Sequence, residues 1–188
     1  MRIIAGKFKG KKILEPQDQI TRPLKDLAKE SIFNVVKHSN KFNANIEDAN
    51  ILDLFSGVGS FGLEAISRGA KFVTFVENYQ SVLNVLKKNI QNLNLNEKSK
   101  IIEKDIFQSN FFKELSNNFD LIFIDPPFKE KKISLILSEI KNSNILKKDG
   151  LIIIHRNSEQ KEVYFKEFKI LEEKKYGISK MIFGIILN

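Results

Sequence analysis

From Asn50 to His155 the chain alternates apolar runs of strand length with amphipathic runs of helical length, and this constrains the fold more than any other feature. Ile51–Phe55 is an apolar strand, followed by a glycine-rich turn and a helix to about Arg68, with Gly69 placed to cap it. Lys71–Glu77 reads as a second strand, and Val82, Leu83, Leu86, Ile90 and Leu93 mark a second helix. Lys100–Glu103 predicts a third strand, Phe107–Leu115 a short helix and Phe119–Ile124 a fourth strand. Ile133–Ile140 is helical, and Gly150–His155 supplies a fifth strand. Strands joined through helices run parallel, with helices covering both faces of the sheet. Phe165–Glu173 and Lys175–Leu187 are β-rich and too closely connected for a crossover, so they predict an antiparallel hairpin.

The first 23 residues have a different character. Arg2, Lys7, Lys9, Lys11 and Lys12 precede any acid, Phe8 interleaves with them, and Gly6 and Gly10 punctuate the run. Two short strands around a turn fit this pattern, and a basic, aromatic-bearing arm suits contact with phosphates and bases. Pro23 opens a helix whose packing face is predicted to carry Leu24, Leu27, Ala28, Ile32, Val35 and Val36. Residues 38–49 read as a linker. The expected division is an RNA-facing part over 1–45 and a catalytic domain over 46–188.

Composition narrows the chemistry. With 31 Lys and Arg against 23 Asp and Glu, the net charge of +8 favours polyanionic partners, although lysines scattered over a solvated surface would give the same sum. Cysteine is absent, and the two histidines, His38 and His155, have no zinc-like spacing, so no metal site is expected. No apolar run approaches the ~20 residues that span a bilayer, and the N-terminus does not read as a signal peptide. A monomer in the cytoplasm, without membrane contact, is the expectation.

Asp53-Leu-Phe-Ser-Gly-Val-Gly-Ser-Phe-Gly62 holds Gly57-x-Gly59-x-x-Gly62 between a predicted strand and a predicted helix. Glycines there let the backbone turn sharply and approach a ligand. Glu77 ends the second strand, 20 residues beyond Gly57, where a carboxylate can accept from both ribose hydroxyls. The pattern fits an adenosine-type cofactor, with a nicotinamide dinucleotide or S-adenosylmethionine both possible. Asp53 favours the second: a carboxylate at the strand end attracts the methionyl ammonium and repels a pyrophosphate. Phe55 closes that strand and joins the cofactor set. Asp105, after the third strand, either accepts from an adenine amine, with Ile106 packing on the ring, or caps the following helix.

Asp125-Pro126-Pro127-Phe128 ends the fourth strand, on the edge where α/β sheets carry ligands. Each proline removes a backbone donor, leaving an acceptor-rich corner of carboxylate and carbonyls beside an aromatic ring. An exocyclic amine is a poor nucleophile because its lone pair is delocalised into the base. Accepting both N–H groups aims that lone pair at an electrophilic methyl, while Phe128 stacks on a flipped-out base. Asp125, Pro126 and Phe128 are the candidate catalytic residues; an ordinary turn with a core Phe is the plainer alternative.

The tetrapeptide resembles the (D/N/S)PP(Y/F/W) motif of amino-methyltransferases, and DLFSGVGSFG resembles their glycine-rich first motif. RIIAGKFKGKKILEP, ITRPLKDLAKESIFNVV and the late KYG resemble the bacterial 16S rRNA guanine-N2 methyltransferases of the RsmD family, a likeness that covers nearly the whole chain. It implies a Rossmann-like, seven-stranded class I methyltransferase sheet, S-adenosylmethionine as donor, and guanine 966 of 16S rRNA in the small ribosomal subunit or its assembly intermediate as target. It further implies that Asp53, Gly57 and Gly59 line the methionine end, that Glu77 binds ribose, that Asp125 and Phe128 hold the guanine, and that Arg22 faces RNA. The family's TRPT-x-DRVRE is TRPLKDLAKE here, so Leu24, Leu27 and Lys29 replace residues that the pattern would have facing RNA. Other readings are a methyltransferase for DNA adenine N6 or a protein glutamine amide, a non-catalytic RNA-binding protein, and a nicotinamide-dependent redox enzyme.

Overall fold

The computed structural model describes residues 1–16, 24, 26–115, 118–160 and 162–187. Its elements follow the alternation: α1 (Asp26–His38), β1 (Asn50–Leu54), α2 (Ser60–Ser67), β2 (Phe72–Val76), α3 (Gln80–Asn92), β3 (Ser99–Ile102), β4 (Phe119–Ile124), α4 (Ile133–Asn142), β5 (Leu146–Asn157), β6 (Phe168–Tyr176) and β7 (Ser179–Ile186). They form one seven-stranded sheet in the order β3-β2-β1-β4-β5-β7-β6. The first five strands are mutually parallel, and β7 runs antiparallel between β5 and β6.

Period-two alternation divides the core into two layers. Ile51, Leu121, Phe123, Leu151, Ile153, Met181 and Phe183 face α1, α2 and α3. Leu52, Leu54, Ile122, Ile124, Ile152, Ile154 and Ile182 face α4. The order of strand addition reverses at β1, whose neighbours are β2 on one side and β4 on the other. The crevice beyond their carboxyl ends is therefore the natural ligand position. Gly62 permits close packing of α2 on β2, since a Cβ there would fall 2.3 Å from the Phe75 ring. Phe61 stacks between Phe33 and Phe123, at 5.1 and 4.0 Å, tying α1 through α2 to the sheet.

Every residue of α2 is buried, Glu64 and Ser67 included, because the N-terminal arm covers its outer side. Glu64 accepts from the Ile4 and Ala5 N–H groups at 2.7 and 3.0 Å. The Ser67 hydroxyl accepts from Phe8 N–H, and its carbonyl accepts from Lys7 N–H. Gly6 lies at φ +80°, and a Cβ there would stand 1.8 Å from the Ser67 carbonyl oxygen. Asn89 of α3 pairs with both backbone groups of Leu14 and also donates to the Val58 carbonyl. Ile3 and Ile13 enter the same core layer as Phe61 and Phe123.

Three expectations need correction. The arm forms a narrow hairpin with a single bridge, Arg2 to Lys12, and not two strands. The N–H groups of Ile4, Ala5, Phe8 and Leu14 bond to side chains of α2 and α3 instead of forming a ladder. Leu27 is 69% exposed, because α1 packs through Ala28, Ile32, Phe33 and Val36, which leaves position 27 on the opposite side. Phe107–Leu115 contains only a 3-10 turn at Phe112–Glu114. Asn110 there is left-handed at φ 63°, which ends any helical run after it has barely begun.

Candidate active site

The β1–α2 turn is held from below and from the side. Asp53, 1% exposed, accepts from Gly62 N–H at 3.0 Å. Glu77, just past β2, accepts from Gly57 N–H at 2.8 Å through one oxygen and from Asn78 and Tyr79 N–H through the other. These bonds fix the carboxylate that the 20-residue spacing singled out. Phe55 sits at φ 58°, half-buried, with its ring 6.4 Å from that of Phe107.

Three carboxylates converge here. Burial pushes the Asp53 pKa well above the usual carboxylate range; the Gly62 N–H opposes that, and the charges of Asp125 and Glu77 add to it. In a chain of net charge +8 this is an acidic cleft. It fits a cationic ligand and disfavours a pyrophosphate. A carboxylate as enclosed as Asp53 acts on a cation through its field and not by an open contact. Asp105 accepts from Phe107 N–H at 2.9 Å, which closes a local turn; the helix it was expected to cap does not form. Ile106 is 5% exposed, within the second core layer.

Asp125 follows β4 next to the end of β1, its N–H bonded to the Leu54 carbonyl at 3.3 Å. Two residues of β5 that the motifs did not single out hold this corner. His155 Nδ1 lies 2.7 Å from Asp125 Oδ1, and its Nε2 lies 3.0 Å from Ser179 Oγ. Arg156, fully buried, donates to the carbonyls of Pro127, Phe128 and Glu130 at 3.2, 3.1 and 2.6 Å and pairs with Glu162. Gln160 also donates to the Phe128 carbonyl. The expected supply of open carbonyls is thereby reduced: those of Pro127 and Phe128 are occupied. The Pro126 carbonyl has no protein donor among the described residues. No local pattern marks His155 in the sequence: it is the pairing of Ile154 with Ile124 that sets residue 155 beside residue 125 at the carboxyl ends of the strands.

Arg2, Lys7, Lys9, Lys11 and Lys12 are all exposed, as a nucleic-acid surface requires. They do not occupy one place. The Arg2 carbonyl meets Lys29 Nζ, which lies 3.4 Å from Ser60 Oγ at the start of α2, whereas Lys7 N–H meets Ser67 at its end. At 1.5 Å per residue, α2 separates these points by about 10 Å. Arg22 lies outside the described residues. Lys29 is fully buried between Asp26 and Glu64, and burial lowers its pKa against the pull of those acids. A groove of about 470 Å³ between α1 and the β6–β7 end, lined by Leu27, Ser31, Glu172 and Tyr176, involves none of the candidate site residues. Among the described residues no acidic or histidine cluster could hold a metal ion, and no helix is long and apolar enough to cross a membrane.

This sheet order, the glycine turn at β1 and the reversed β7 define a class I methyltransferase fold. The Escherichia coli protein yhhF, named as a methyltransferase, superposes with a TM-score of 0.81 at 25% identity, over 98% of this chain and 96% of that one. A Haemophilus influenzae protein named as a methylase gives 0.77 at 31%, over 100% and 98%. At the level of fold alone, a methyltransferase solved with SAH gives 0.63 at 19% identity, over 85% of this chain and 50% of that one. The family described as "Conserved hypothetical protein 95" matches residues 1–185. "Ribosomal RNA small subunit methyltransferase D" of Haemophilus influenzae is 35% identical over 95% of this chain and 90% of its own length. The chain belongs to this family, the RsmD family.

Proposed function

We propose that the protein transfers the methyl group of S-adenosylmethionine to the exocyclic N2 amine of a guanine in 16S rRNA, at the position of guanine 966. The observation that carries this reading is the acceptor corner. Asp125 stands at the β4 end beside β1, with Oδ1 bonded by His155 and Oδ2 and the Pro126 carbonyl left without protein donors among the described residues.

S-adenosylmethionine, when bound, supplies an electrophilic methyl on a sulfonium. Asp53, Glu77 and Asp125 fit such a cation. Glu77 would hold the ribose, Phe55, Gly57 and Gly59 would line the methionine end, and Ile106 and Asp105 would face the adenine. Asp125 and the Pro126 carbonyl accept the two N–H groups of the guanine amine, which localises the nitrogen lone pair and orients it. Phe128 stacks on the base. Residues 1–45 would face RNA through Arg2, Lys7, Lys9, Lys11, Lys12 and Arg22, and residues 46–188 would carry the chemistry. The small ribosomal subunit or its assembly intermediate would present the unstacked guanine.

The test combines purified protein, S-adenosylmethionine and unmethylated small subunits, followed by nucleoside analysis. N2-methylguanine in 16S rRNA is the expected product, with duplex DNA unlabelled. N6-methyladenine, or equal labelling of DNA, would overturn the substrate assignment.

A further inference from the structure

We infer that His155 is the positioning residue for the methyl acceptor, acting through Asp125 and Phe128. This rests on the reading of Asp125 as the amine's acceptor. His155 is 8% exposed on β5, and three groups surround its ring. Asp125 Oδ1 lies 2.7 Å from Nδ1, Ser179 Oγ lies 3.0 Å from Nε2, and the Phe128 ring meets the imidazole edge-on at 5.4 Å and 79°.

A carboxylate accepts, so the imidazole meets Asp125 with an Nδ1–H donor. The Ser179 hydroxyl both donates and accepts and can satisfy Nε2 in either protonation state. Ser179 is itself fixed as the first residue of β7, paired with Asn157 of β5. The imidazole is thus braced from behind and cannot turn away from Asp125.

Two consequences follow. The Asp125 carboxylate is held in one orientation, leaving Oδ2 for the amine, so its alignment is established before substrate arrives. Phe128, which would stack on the base, rests against the same imidazole. One side chain therefore sets the relation between the group that orients the amine and the group that holds the ring. A merely space-filling histidine would need neither the short bond to Asp125 nor the seat on Ser179.

The experiment compares His155→Ala, His155→Asn and His155→Gln in steady-state methylation of unmethylated small subunits, with SAH affinity measured by calorimetry. His155→Ala should lower kcat about 10- to 100-fold, the scale of one missing charge-assisted hydrogen bond. KM for the subunit and SAH affinity should stay within about twofold. Asn can place its amide N–H where Nδ1 stands and should restore most of kcat. Gln is closer to His in volume, but its amide reaches toward Nε2, so it should restore little. Normal kcat in His155→Ala, or Gln rescuing as well as Asn, would overturn the inference. Should the Ala variant fail to fold, the Asn and Gln pair carries the same comparison. Asp125→Ala in the same assay separates the two levels. Retained turnover there defeats the acceptor-corner reading, whereas abolished turnover with a normal His155→Ala defeats only the role of His155.

Discussion

Two irregular backbone segments are fastened by buried ionic side chains, one to helix α2 and one to strand β5, and they are fastened with opposite charge. The N-terminal arm presents N–H groups, and an anion, Glu64, receives those of Ile4 and Ala5. The acceptor loop after β4 presents carbonyls, and a cation, Arg156, donates to three of them. The cause lies in the chain. Pro126 and Pro127 have no N–H to offer, so the loop carries more carbonyls than N–H groups and requires an outside donor as partner. The arm has no proline before Pro16, and its N–H groups at residues 4, 5, 8 and 14 all find side-chain acceptors. Buried charge here completes the hydrogen bonding of irregular backbone that no strand could pair.

The largest effects are expected from removing a carboxylate at each place. Glu64→Ala takes from the fully buried Lys29 one of its two carboxylates, leaving Asp26 at 3.9 Å, removes the partner of Arg68, and orphans two arm N–H groups. A loss of about 3–5 kcal/mol is expected, the range for removing one partner of a buried ion pair. Glu162→Ala should cost less, because Arg156 keeps its three carbonyl acceptors. Urea denaturation of both variants checks the order, and equal losses would mean that the carbonyls do not compensate Arg156.

Gly6→Ala attacks the arm without touching a charge. Its methyl would enter the Ser67 carbonyl, and its φ of +80° disfavours any Cβ. The expected cost is about 1–3 kcal/mol. Amide exchange should localise it, with faster exchange at Ile4, Ala5 and Phe8 than in β4 or β5. Unchanged protection at those three amides would show that the arm is not seated as described.

These interactions mark where the sequence was legible and where it was not. The β1–α2 turn, Glu77 and Asp125 were readable because each depends on a local pattern at a strand end. Glu64 gave no signal, since its burial depends on residues 4 and 5, sixty positions away. His155 and Arg156 acquire meaning only when β5 lies beside β4 in register, and helical periodicity alone put Leu27 on the wrong side of α1. Deleting residues 1–12 is likewise no clean test of RNA binding, because Ile3 is core and Glu64 would lose its donors.

Asp53 is a third buried carboxyl, held differently. It is as buried as Glu64 but receives one backbone N–H, from Gly62, and its pKa is raised, chiefly by burial. A carboxyl raised in the folded state contributes stability that is complete below its unfolded pKa, about 3.9, and lost as pH rises through the folded value. Asp53→Asn keeps an acceptor for Gly62 and abolishes that loss. Its stability relative to the parent should therefore grow as pH rises from about 4, while SAH affinity falls with the missing field. Parallel stability curves for the two proteins between pH 4 and 8 would remove Asp53 from this account.

The smallest effect expected is the most informative about the arm. Its bonds to α2 use backbone groups, and the pair that Arg2 makes with Asp26 at 3.4 Å is exposed, so the basic side chains can be neutralised without unseating it. Arg2 and Lys12 face each other across the bridge near the start of α2, on the side of the glycine turn. Lys7 and Lys9 lie at the tip, near Ser67 at the far end. Removing one cation that neutralises a phosphate should make the slope of log affinity against log salt shallower by about 0.7–0.9. The paired variants Arg2→Ala/Lys12→Ala and Lys7→Ala/Lys9→Ala, titrated with small-subunit rRNA at several salt concentrations, divide the arm into its two ends. A larger change for the first pair would place the RNA backbone over the cleft, and a larger change for the second would extend the footprint down α2. Equal slopes for both variants and the parent would mean that these charges are a solvated surface, and the RNA-facing role of the arm would be withdrawn.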